Sequence, residues 1–408
     1  MSRLVLIVLI NVGAYFVLRR LWPEVRTGWR RGVLWSLAAL SALGFVLPWM
    51  LGRGEHGVVP GVGVPLKLLG AAWILTAAFL LFFGGPVAML LLRRERGLAR
   101  RAAESPSVEP PVAAPVAEGG VDLRRRGLLT GVGRALPVLA AGTATGGLAA
   151  GSSGFEVREV EVRLKGLPKA LDGFRIGQIT DVHVGTFIDT AYVRAAVEAM
   201  NAAKVDLQVM TGDLIDDLAQ LDETMAALEL CRAPHGMLAI LGNHEHWRGL
   251  RTILAAYAER ERQGSPVRLL VDEARVLEHG GQKLRVVGVD YPMGARGMRA
   301  KKERMEYSAR VAFEGTRPDE TLLCLSHHPD FFPYALEKGA RLTLAGHTHG
   351  GQVAFFGLPV FRFAFDYMLG RYRKGQGQLY VSGGTGHWLP FRIGVPTEVT
   401  LFTLRAEA

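Results

Sequence analysis

Cysteine is almost absent from this chain: Cys231 and Cys324 are the only two among 408 residues, and no CxxC pair occurs. A thiolate zinc site and a disulfide-rich scaffold are therefore excluded, because both need several or closely spaced cysteines. Cys324 lies inside the apolar run TLLCLS, which favours a buried free thiol. A disulfide between the two stays open, because a sequence does not show which cysteines are close in space.

Residues 152–408 also lack an excess of charge, with 31 Lys and Arg against 31 Asp and Glu. The formal net charge of +10 belongs to residues 1–151, which contain 17 Lys and Arg against 7 Asp and Glu. A nucleic-acid-binding domain normally carries its basic excess on the folded part, so nucleic acid is not an expected partner. The arginines near the beginning of the chain are instead typical of membrane topology signals.

Residues 1–101 contain three apolar stretches, at about residues 4–18, 33–51 and 66–92. A helix needs roughly 20 apolar residues to cross a bilayer, so we predict a membrane region with three transmembrane helices over 1–101. Arginines cluster after the first and third stretches, whereas the loop between the second and third carries only Arg53. The arginine-rich loops are therefore expected in the cytoplasm.

Residues 102–123 form a linker rich in proline, alanine and glutamate, which we expect to be disordered. Residues 124–151 begin with three arginines and continue as a weakly apolar run of small residues. This pattern fits a fourth transmembrane segment or a twin-arginine-like export signal, and both alternatives stay open. Either one predicts a multi-pass protein of the cytoplasmic membrane with residues 152–408 on its outer, periplasmic face. The remaining alternative for residues 124–151, a re-entrant segment or a cytoplasmic hinge, does not predict that location.

Strands and helices alternate from Phe174 onward, which predicts an α/β fold with two packed sheets of mixed strand direction. Five of the predicted strands are each followed directly by a polar cluster. The clusters are DVH (181–183), GDLID (212–216), GNHEH (242–246), HHP (327–329) and GHTHGGQ (346–352). Because loops diverge at the carboxyl ends of strands in open α/β sheets, we expect these clusters to meet at one edge.

The clusters offer oxygen and nitrogen atoms suited to two divalent metal ions. Asp181 and His183 are two residues apart, as are His347 and His349, so in an extended segment each pair points to one side. Asp213 follows a glycine that permits a close turn of the backbone, and its two carboxylate oxygens can bridge two cations. The spacing therefore predicts a dinuclear site.

Asn243 adds a neutral amide oxygen, which avoids negative charge that would weaken a metal as a Lewis acid. Imidazole and oxygen ligands without thiolate suit Mn, Fe or Zn, and the sequence does not decide among them. Two such ions about 3.5–4 Å apart hold a phosphate and activate a water, which is typical of phosphate-ester hydrolysis. The ordered set of motifs carries this prediction, since any single motif is common in turns and helix caps.

The ordered motifs resemble those of the calcineurin-like metallophosphoesterases, over about residues 155–404. The ending SGGTGHWLPFRIGVPTEVTLFTL and the apolar beginning are similar to the bacterial membrane-associated branch and to transmembrane proteins with a metallophosphoesterase domain. The resemblance implies a four-layer α/β/β/α sandwich over residues 152–408, with a dinuclear site at one edge and a multi-span helical membrane region before it.

Carried over motif by motif, the resemblance also implies how the ligands divide. The first metal would be held by Asp181, His183, Asp213 and His349, and the second by Asp213, Asn243, His327 and His347. His244 would not bind a metal; it would contact the phosphate and protonate the leaving oxygen. A water activated by the two metals would attack in line.

Three residues beside the motifs have other predicted roles. His328 is expected in the core or in contact with a metal ligand, Asp216 is expected to orient a ligand or cap a turn, and His246 would line the substrate cleft or lie at the surface. The aromatic segment of about residues 355–376 follows the last motif. It would form either a lipid-facing rim with basic edges or a hairpin that buries alternate aromatic side chains.

Together these patterns predict a membrane-anchored, metal-dependent phosphoesterase that cleaves a phosphodiester or pyrophosphate bond. A phospholipid or a nucleotide-linked lipid such as UDP-2,3-diacylglucosamine is the favoured substrate class, although the predicted outer location disfavours that cytoplasmic example. The alternatives are a phosphomonoesterase and a non-catalytic metal-binding membrane sensor or scaffold. The sequence predicts no oligomeric state.

Overall fold

The computed structural model describes residues 3–22, 25, 28–50, 63–104, 120–294, 297–363 and 365–407. The chain divides into two compact units, Met1–Leu148 and Ala149–Ala408. Residues 105–119 of the expected linker lie outside the described residues, so disorder there stays a prediction.

The described part of the first unit is helical. Its α-helices are α1 (Arg3–Leu21), α2 (Trp29–Met50), α3 (Gly63–Phe79), α4 (Gly85–Glu104) and α5 (Gly120–Gly151), and a π-helical turn, Leu80–Gly84, joins α3 to α4. The Trp73 indole of α3 donates a hydrogen bond to the Asn11 amide oxygen of α1 at 2.7 Å, so these two helices share a polar contact as well as apolar ones.

One helical stretch among the described residues, Lys67–Arg94, is long and apolar enough to cross a membrane, with a mean hydropathy of 2.2. It coincides with the third predicted span. Because this is the one stretch among the described residues that meets both criteria, a membrane region with several spans is not supported. The first stretch forms α1, whose last turn carries Arg19 and Arg20, and the side chains of residues 40–50 in α2 lie outside the described ones. Glycine and threonine dilute the apolar character of α5, the fourth candidate.

The second unit contains the remaining elements. Its helices are α6 (Thr190–Ala202), α7 (Leu221–Leu228), α8 (Asn243–Arg262), α9 (Met298–Ala312) and α10 (Phe332–Glu337). Its strands are β1 (Glu156–Lys165), β2 (Arg175–Ile179), β3 (Leu207–Thr211), β4 (Met237–Ile240), β5 (Val267–Leu269), β6 (Glu273–His279), β7 (Gln282–Val289), β8 (Thr321–Ser326), β9 (Leu342–Ala345), β10 (Ala354–Phe355), β11 (Leu358–Pro359), β12 (Gly370–Lys374), β13 (Gly377–Val381) and β14 (Glu398–Glu407).

Two six-stranded sheets form the centre of this unit, in the orders β1-β14-β2-β3-β4-β5 and β12-β13-β9-β8-β7-β6. In the first, β2 to β5 are parallel and β14 runs antiparallel to β2. In the second, β7, β8, β9 and β13 are parallel, and the edge strands β6 and β12 are antiparallel to their neighbours. These mixed sheets confirm the α/β fold expected from the sequence.

Three hydrophobic clusters separate the layers. The inner one joins the facing sides of the sheets and contains Phe174, Ile176, Leu323 and Phe402. A second cluster packs α6, α7 and α8 against the outer face of the first sheet, and a third packs α9 and α10 against the second sheet. The layers thus follow the order α/β/β/α.

Strand β1 was not predicted from the sequence. Apolar and charged residues alternate over most of its sequence, EVREVEVRLK, and three of the ten residues are buried. It pairs in parallel over its whole length with β14, the last strand of the chain, so its partner is the most distant one available. The alternation of Val160, Val162 and Leu164 with charged residues was the local signal for a strand, whereas its distant partner could not be read from it.

The first prediction concerns the two cysteines, which are both buried and unpaired, so the disulfide alternative is wrong. Burial raises the pKa of both thiols, and the thiolate is the form that reacts with alkylating agents. We therefore expect iodoacetamide at pH 8 to modify neither cysteine in the native chain and both after denaturation, as measured by intact mass. Rapid alkylation of the native chain would contradict the described burial.

Candidate metal centre

The five motifs meet at one edge, where the carboxyl ends of both sheets come together. In the order of strands β2, β3, β4, β8 and β9, the residues at this edge are Asp181 and His183, Asp213, Asn243, His327, and His347 with His349. Four of these seven come from the first sheet and three from the second. All are buried except His347, which is partly exposed.

The backbone at these residues differs from the extended segments expected from the spacing. Asp181, His183, Asp213, His347 and His349 all have positive φ, between 48° and 74°. This left-handed conformation is uncommon for residues other than glycine. The extended segments assumed from the spacing are therefore wrong: residues with left-handed backbone follow the strands, and His347 and His349 lie in different groups of potential ligands.

The first group of ligand atoms comes from Asp181, His183 and His349. The Nε2 atoms of His183 and His349 lie 3.1 Å apart, and Nε2 of His349 lies 3.5 Å from a carboxylate oxygen of Asp181. The Asp181 carboxylate also accepts hydrogen bonds from the backbone N–H of His347, which holds it in place.

The second group comes from Asp213, His327 and His347. Nε2 of His327 lies 3.1 Å from Oδ2 of Asp213 and 3.2 Å from Nδ1 of His347. The opposite ring nitrogen of His327 donates to the Thr211 carbonyl at 2.8 Å, which turns Nε2 towards the group. Oδ2 of Asp213 is also 3.8 Å from Nε2 of His183, so this carboxylate lies between the two groups.

Three observations show that these residues fit cations. Imidazole nitrogens face each other in both groups, an arrangement that two lone pairs do not adopt unless a proton or a metal ion lies between them. The Asn243 amide oxygen is buried and has no hydrogen-bond partner among the described residues, although buried polar atoms are normally paired. Two buried carboxylates, Asp181 and Asp213, supply negative charge. The donors are hard oxygens and imidazoles, which suit first-row divalent metals.

The charges of the group perturb the pKa values of its histidines in opposite directions. Burial alone would lower the pKa of His327, but the carboxylates of Asp213 and Asp181 outweigh it and raise that pKa to about 10. Burial and the neighbouring His327 lower the pKa of His347 to about 3. A proton on His327 therefore substitutes for a cation in the metal-free chain.

His244 lies beside both groups and contributes no facing nitrogen pair. Its Nδ1 donates a hydrogen bond to Asp216, and its Nε2 lies 4.0 Å from Asp213. Asp216 also contacts Nδ1 of His183 at 3.3 Å and accepts from Nε of Arg248 at 3.1 Å. Asp216 therefore orients two histidines at once, in agreement with the predicted orienting role.

The two histidines without an assigned role are both held by neighbours. Nε2 of His246 lies 2.8 Å from Asp290, and both predicted positions, in the substrate cleft or at the surface, stay predictions. His328 is buried and contacts Nζ of Lys301 at 3.0 Å. Burial and the neighbouring His347 lower the pKa of His328 to about 2, so the ring is neutral, as expected for a core histidine.

Glu245 is a residue whose role the sequence reasoning missed. Helix α8 begins at Asn243, so GNHEH forms its first turn and not a loop before it. The buried Glu245 carboxylate accepts from the backbone N–H of Gly242, Asp213 and Leu214 at 2.7, 2.9 and 2.7 Å. Gly-x-x-Glu has the spacing of a helix capping box, and that spacing was the available signal. A Cβ at Gly242 would overlap the Asp213 carboxylate, which explains the glycine.

Arg392 is the second missed residue. It is almost fully buried, donates to the carbonyls of Gly386 and His349 at 2.7 and 3.2 Å, and places Nη2 2.9 Å from Nδ1 of His349. An arginine inside the apolar ending LPFRIGVP was the sequence signal, since a charge in such a run needs buried partners. Arg392 therefore fixes the ring of His349 from behind.

Comparison with known proteins agrees with this site. Residues 174–351 match the model of the calcineurin-like phosphoesterase family. An uncharacterised metallophosphoesterase of Bacillus subtilis is 30% identical over 309 residues, which cover 70% of this chain and 98% of that protein. A metallophosphoesterase of Helicobacter pylori is 30% identical over 253 residues, covering 61% and 64%. A transmembrane protein with metallophosphoesterase domain from Danio rerio is 26% identical over 260 residues, covering 61% and 57%.

A second prediction follows from Glu245. Replacing it with alanine leaves three buried N–H groups without an acceptor, and each such group costs about 1–3 kcal/mol. We expect Glu245→Ala to lower the unfolding temperature and to reduce metal content, measured by elemental analysis of the folded fraction. Glu245→Gln keeps an oxygen acceptor, so its unfolding temperature and metal content should lie between those of the native chain and those of Glu245→Ala. An alanine variant with unchanged stability and metal content would contradict the role of this carboxylate.

A third prediction concerns pH. A raised pKa means that His327 holds its proton below about pH 10 in the metal-free chain, and a metal at Nε2 must displace that proton. Metal binding should therefore release a proton, and affinity should rise as the pH is raised from 6 to 9. Calorimetry with Mn²⁺ in two buffers of different ionisation enthalpy measures the release. An affinity independent of pH over this range would contradict it.

Proposed function

The chain belongs to the calcineurin-like metallophosphoesterase family and is a phosphate-ester hydrolase, and we propose that it cleaves a phosphodiester or pyrophosphate bond with two divalent metal ions. The observation that carries the proposal is the pair of ligand groups on either side of Asp213. A single shared carboxylate between two buried imidazole pairs is suited to two cations held close together. Their identity among Mn, Fe and Zn is left open.

In this proposal the ligands divide as the motifs imply. Asp181, His183 and His349 would hold one ion, Asn243, His327 and His347 would hold the other, and Asp213 would contribute to both. The unpartnered amide oxygen of Asn243 supports this arrangement, as do the facing ring nitrogens. When bound, such ions polarise the phosphate oxygens and increase the acidity of a water.

His244 is the proposed general acid. Its hydrogen bond to Asp216 fixes the ring with Nδ1 protonated, so Nε2 is the nitrogen that can give a proton to the leaving oxygen. The arrangement leaves His244 partly accessible at the mouth of the site, whereas the ligand histidines of the first group are enclosed.

Apolar surfaces on two sides of the site favour a diester or pyrophosphate over a free monoester. The Trp247 side chain is 58% exposed, and its ring centroid lies 4.9 Å from that of His244, the proposed acid. The Phe365 ring lies 5.9 Å from that of His347. A substrate phosphate bound between them would have room for an organic group on each side.

A lipid or a nucleotide-linked lipid is the proposed substrate class. The candidate span Lys67–Arg94 supports membrane anchoring, and some relatives are transmembrane proteins by name. An anchored enzyme meets membrane-bound substrates at high local concentration. The outer, periplasmic face stays a prediction, which protease access in spheroplasts tests.

The fourth prediction tests catalysis. Purified chain loaded with Mn²⁺ should hydrolyse bis-p-nitrophenyl phosphate faster than p-nitrophenyl phosphate. Asp213→Asn should abolish hydrolysis together with one or both bound metals. His244→Gln should keep both metals and lower kcat for an alkyl ester by about 10²–10⁴-fold, the usual contribution of a general acid. The loss should be smaller for the p-nitrophenyl ester, because that leaving group needs little protonation.

Asp222→Asn provides a matched control, because this carboxylate lies on α7 with its side chain 92% exposed. It should leave both activity and metal content unchanged. Absence of hydrolysis by the metal-loaded native chain, or full activity of Asp213→Asn, would reject the proposed function.

A further inference from the structure

An unusually apolar surface lies next to the candidate metal centre. Strands β10 and β11 form a short hairpin, and we define the aromatic hairpin as residues 354–363. Its exposed apolar side chains are Phe355, Phe356, Leu358, Phe361 and Phe363. For residues 355–376 the sequence left two alternatives, a lipid-facing rim and a hairpin that buries alternate aromatic side chains. These five exposed side chains disagree with the second alternative.

The tip of the aromatic hairpin has a backbone that its sequence does not favour. Phe356 and Gly357 form the two-residue turn, with φ of 52° and 77°. Turns of this kind normally take asparagine, aspartate or glycine, and a bulky residue there is uncommon. The Phe356 side chain is fully exposed, so no packing within the chain compensates for its position. Such an outlier indicates a contact outside the chain.

Basic side chains lie within the aromatic hairpin and shortly after it in the chain. Residues 355–374 contain four basic side chains and one acidic one, Asp366, whereas residues 152–408 as a whole carry equal numbers of each sign. The basic side chains are all exposed, and they are Arg362, Arg371, Arg373 and Lys374. Arg373 and Lys374 lie at the end of β12 away from the metal edge, where Arg373 forms an ion pair with Glu407, so Arg362 and Arg371 are the two that lie nearest to the aromatic hairpin in the chain. Apolar side chains with basic residues around them suit an anionic interface.

The aromatic hairpin is attached firmly beside the site. An isolated bridge between Val353 and Ile393 anchors its base, and β10 begins five residues after His349. Phe365, just beyond its end, contacts the ring of His347. A surface that binds the aromatic hairpin would therefore lie close to the mouth of the metal centre.

We propose that the aromatic hairpin docks on a lipid bilayer that carries anionic headgroups, with its phenylalanines at the boundary of the acyl chains. The candidate span Lys67–Arg94 would anchor the same chain to a bilayer. A second copy of the chain is the less favoured occupant. A two-fold interface would place the same basic side chains of each copy opposite one another, and like charges repel. The proposal concerns binding and is independent of catalysis.

The test uses the full chain in phosphatidylcholine nanodiscs with and without phosphatidylglycerol. Cys231 and Cys324 are buried, so Leu358→Cys supplies the reactive thiol for an environment-sensitive fluorophore and leaves Phe355 and Phe356 in place. Val276→Cys, at an exposed apolar position of β6, provides the reference site. Lipids with nitroxide-labelled acyl chains quench a fluorophore that enters the bilayer.

We expect quenching at residue 358, stronger with phosphatidylglycerol and weakened by salt, and none at residue 276. Adding Phe356→Asn should remove most of the quenching. Asparagine tolerates the left-handed turn, so that variant keeps the hairpin, and unchanged metal content verifies that it is folded.

Three results would overturn the proposal. The first is a label at residue 358 that is not quenched in either lipid mixture. The second is equal quenching at residues 276 and 358, which would indicate unspecific contact. The third is a detergent-solubilised dimer in which residues 358 of two copies crosslink, which would identify the aromatic hairpin as an interface between copies.

Discussion

The Asp213 carboxylate is the constraint on which the rest of the site depends. It lies between two groups of imidazoles whose nitrogens approach within 3.1 and 3.2 Å, an approach that needs a proton or a metal ion between each pair. In the metal-free chain a proton on His327 provides part of that charge. Facing imidazoles and buried carboxylates are electrostatically costly by themselves and are suited to divalent cations. This suitability links the fold to the hydrolysis of phosphate esters.

The fold holds this arrangement by a combination of strain and close backbone contact. Parallel strands from two sheets end at the same edge, and left-handed residues immediately after them turn the side chains inward. Glu245 binds the N–H groups of the loop that carries Asp213, and Gly242 leaves room for its carboxylate. Asp216 and Arg392 fix histidines from the far side. Rigid elements thus maintain a conformation that isolated loops would not adopt.

Much of this could be predicted from the sequence, because each motif follows an apolar strand and contains residues with few other uses. Asp213, Asn243 and the histidines were identified in this way. The positive φ values could not be predicted, since they occur at aspartate and histidine and not at glycine. Strand β1 could have been predicted from the alternation of its apolar and charged residues, but its pairing with the other end of the chain could not. The multi-span membrane region is not supported, since one helical stretch among the described residues is long and apolar enough to cross a membrane.

The roles of Trp247, Phe365 and the aromatic hairpin connect the site to its surroundings, since apolar groups at the mouth of a metal centre select what reaches it. That selection has meaning only if two cations occupy the centre. Anomalous X-ray scattering from crystals of the Mn²⁺-loaded chain tests this most directly. Two manganese peaks about 3.5–4 Å apart, with the Asp213 carboxylate between them, are the predicted result. A single peak, or peaks away from Asp213, would contradict the account.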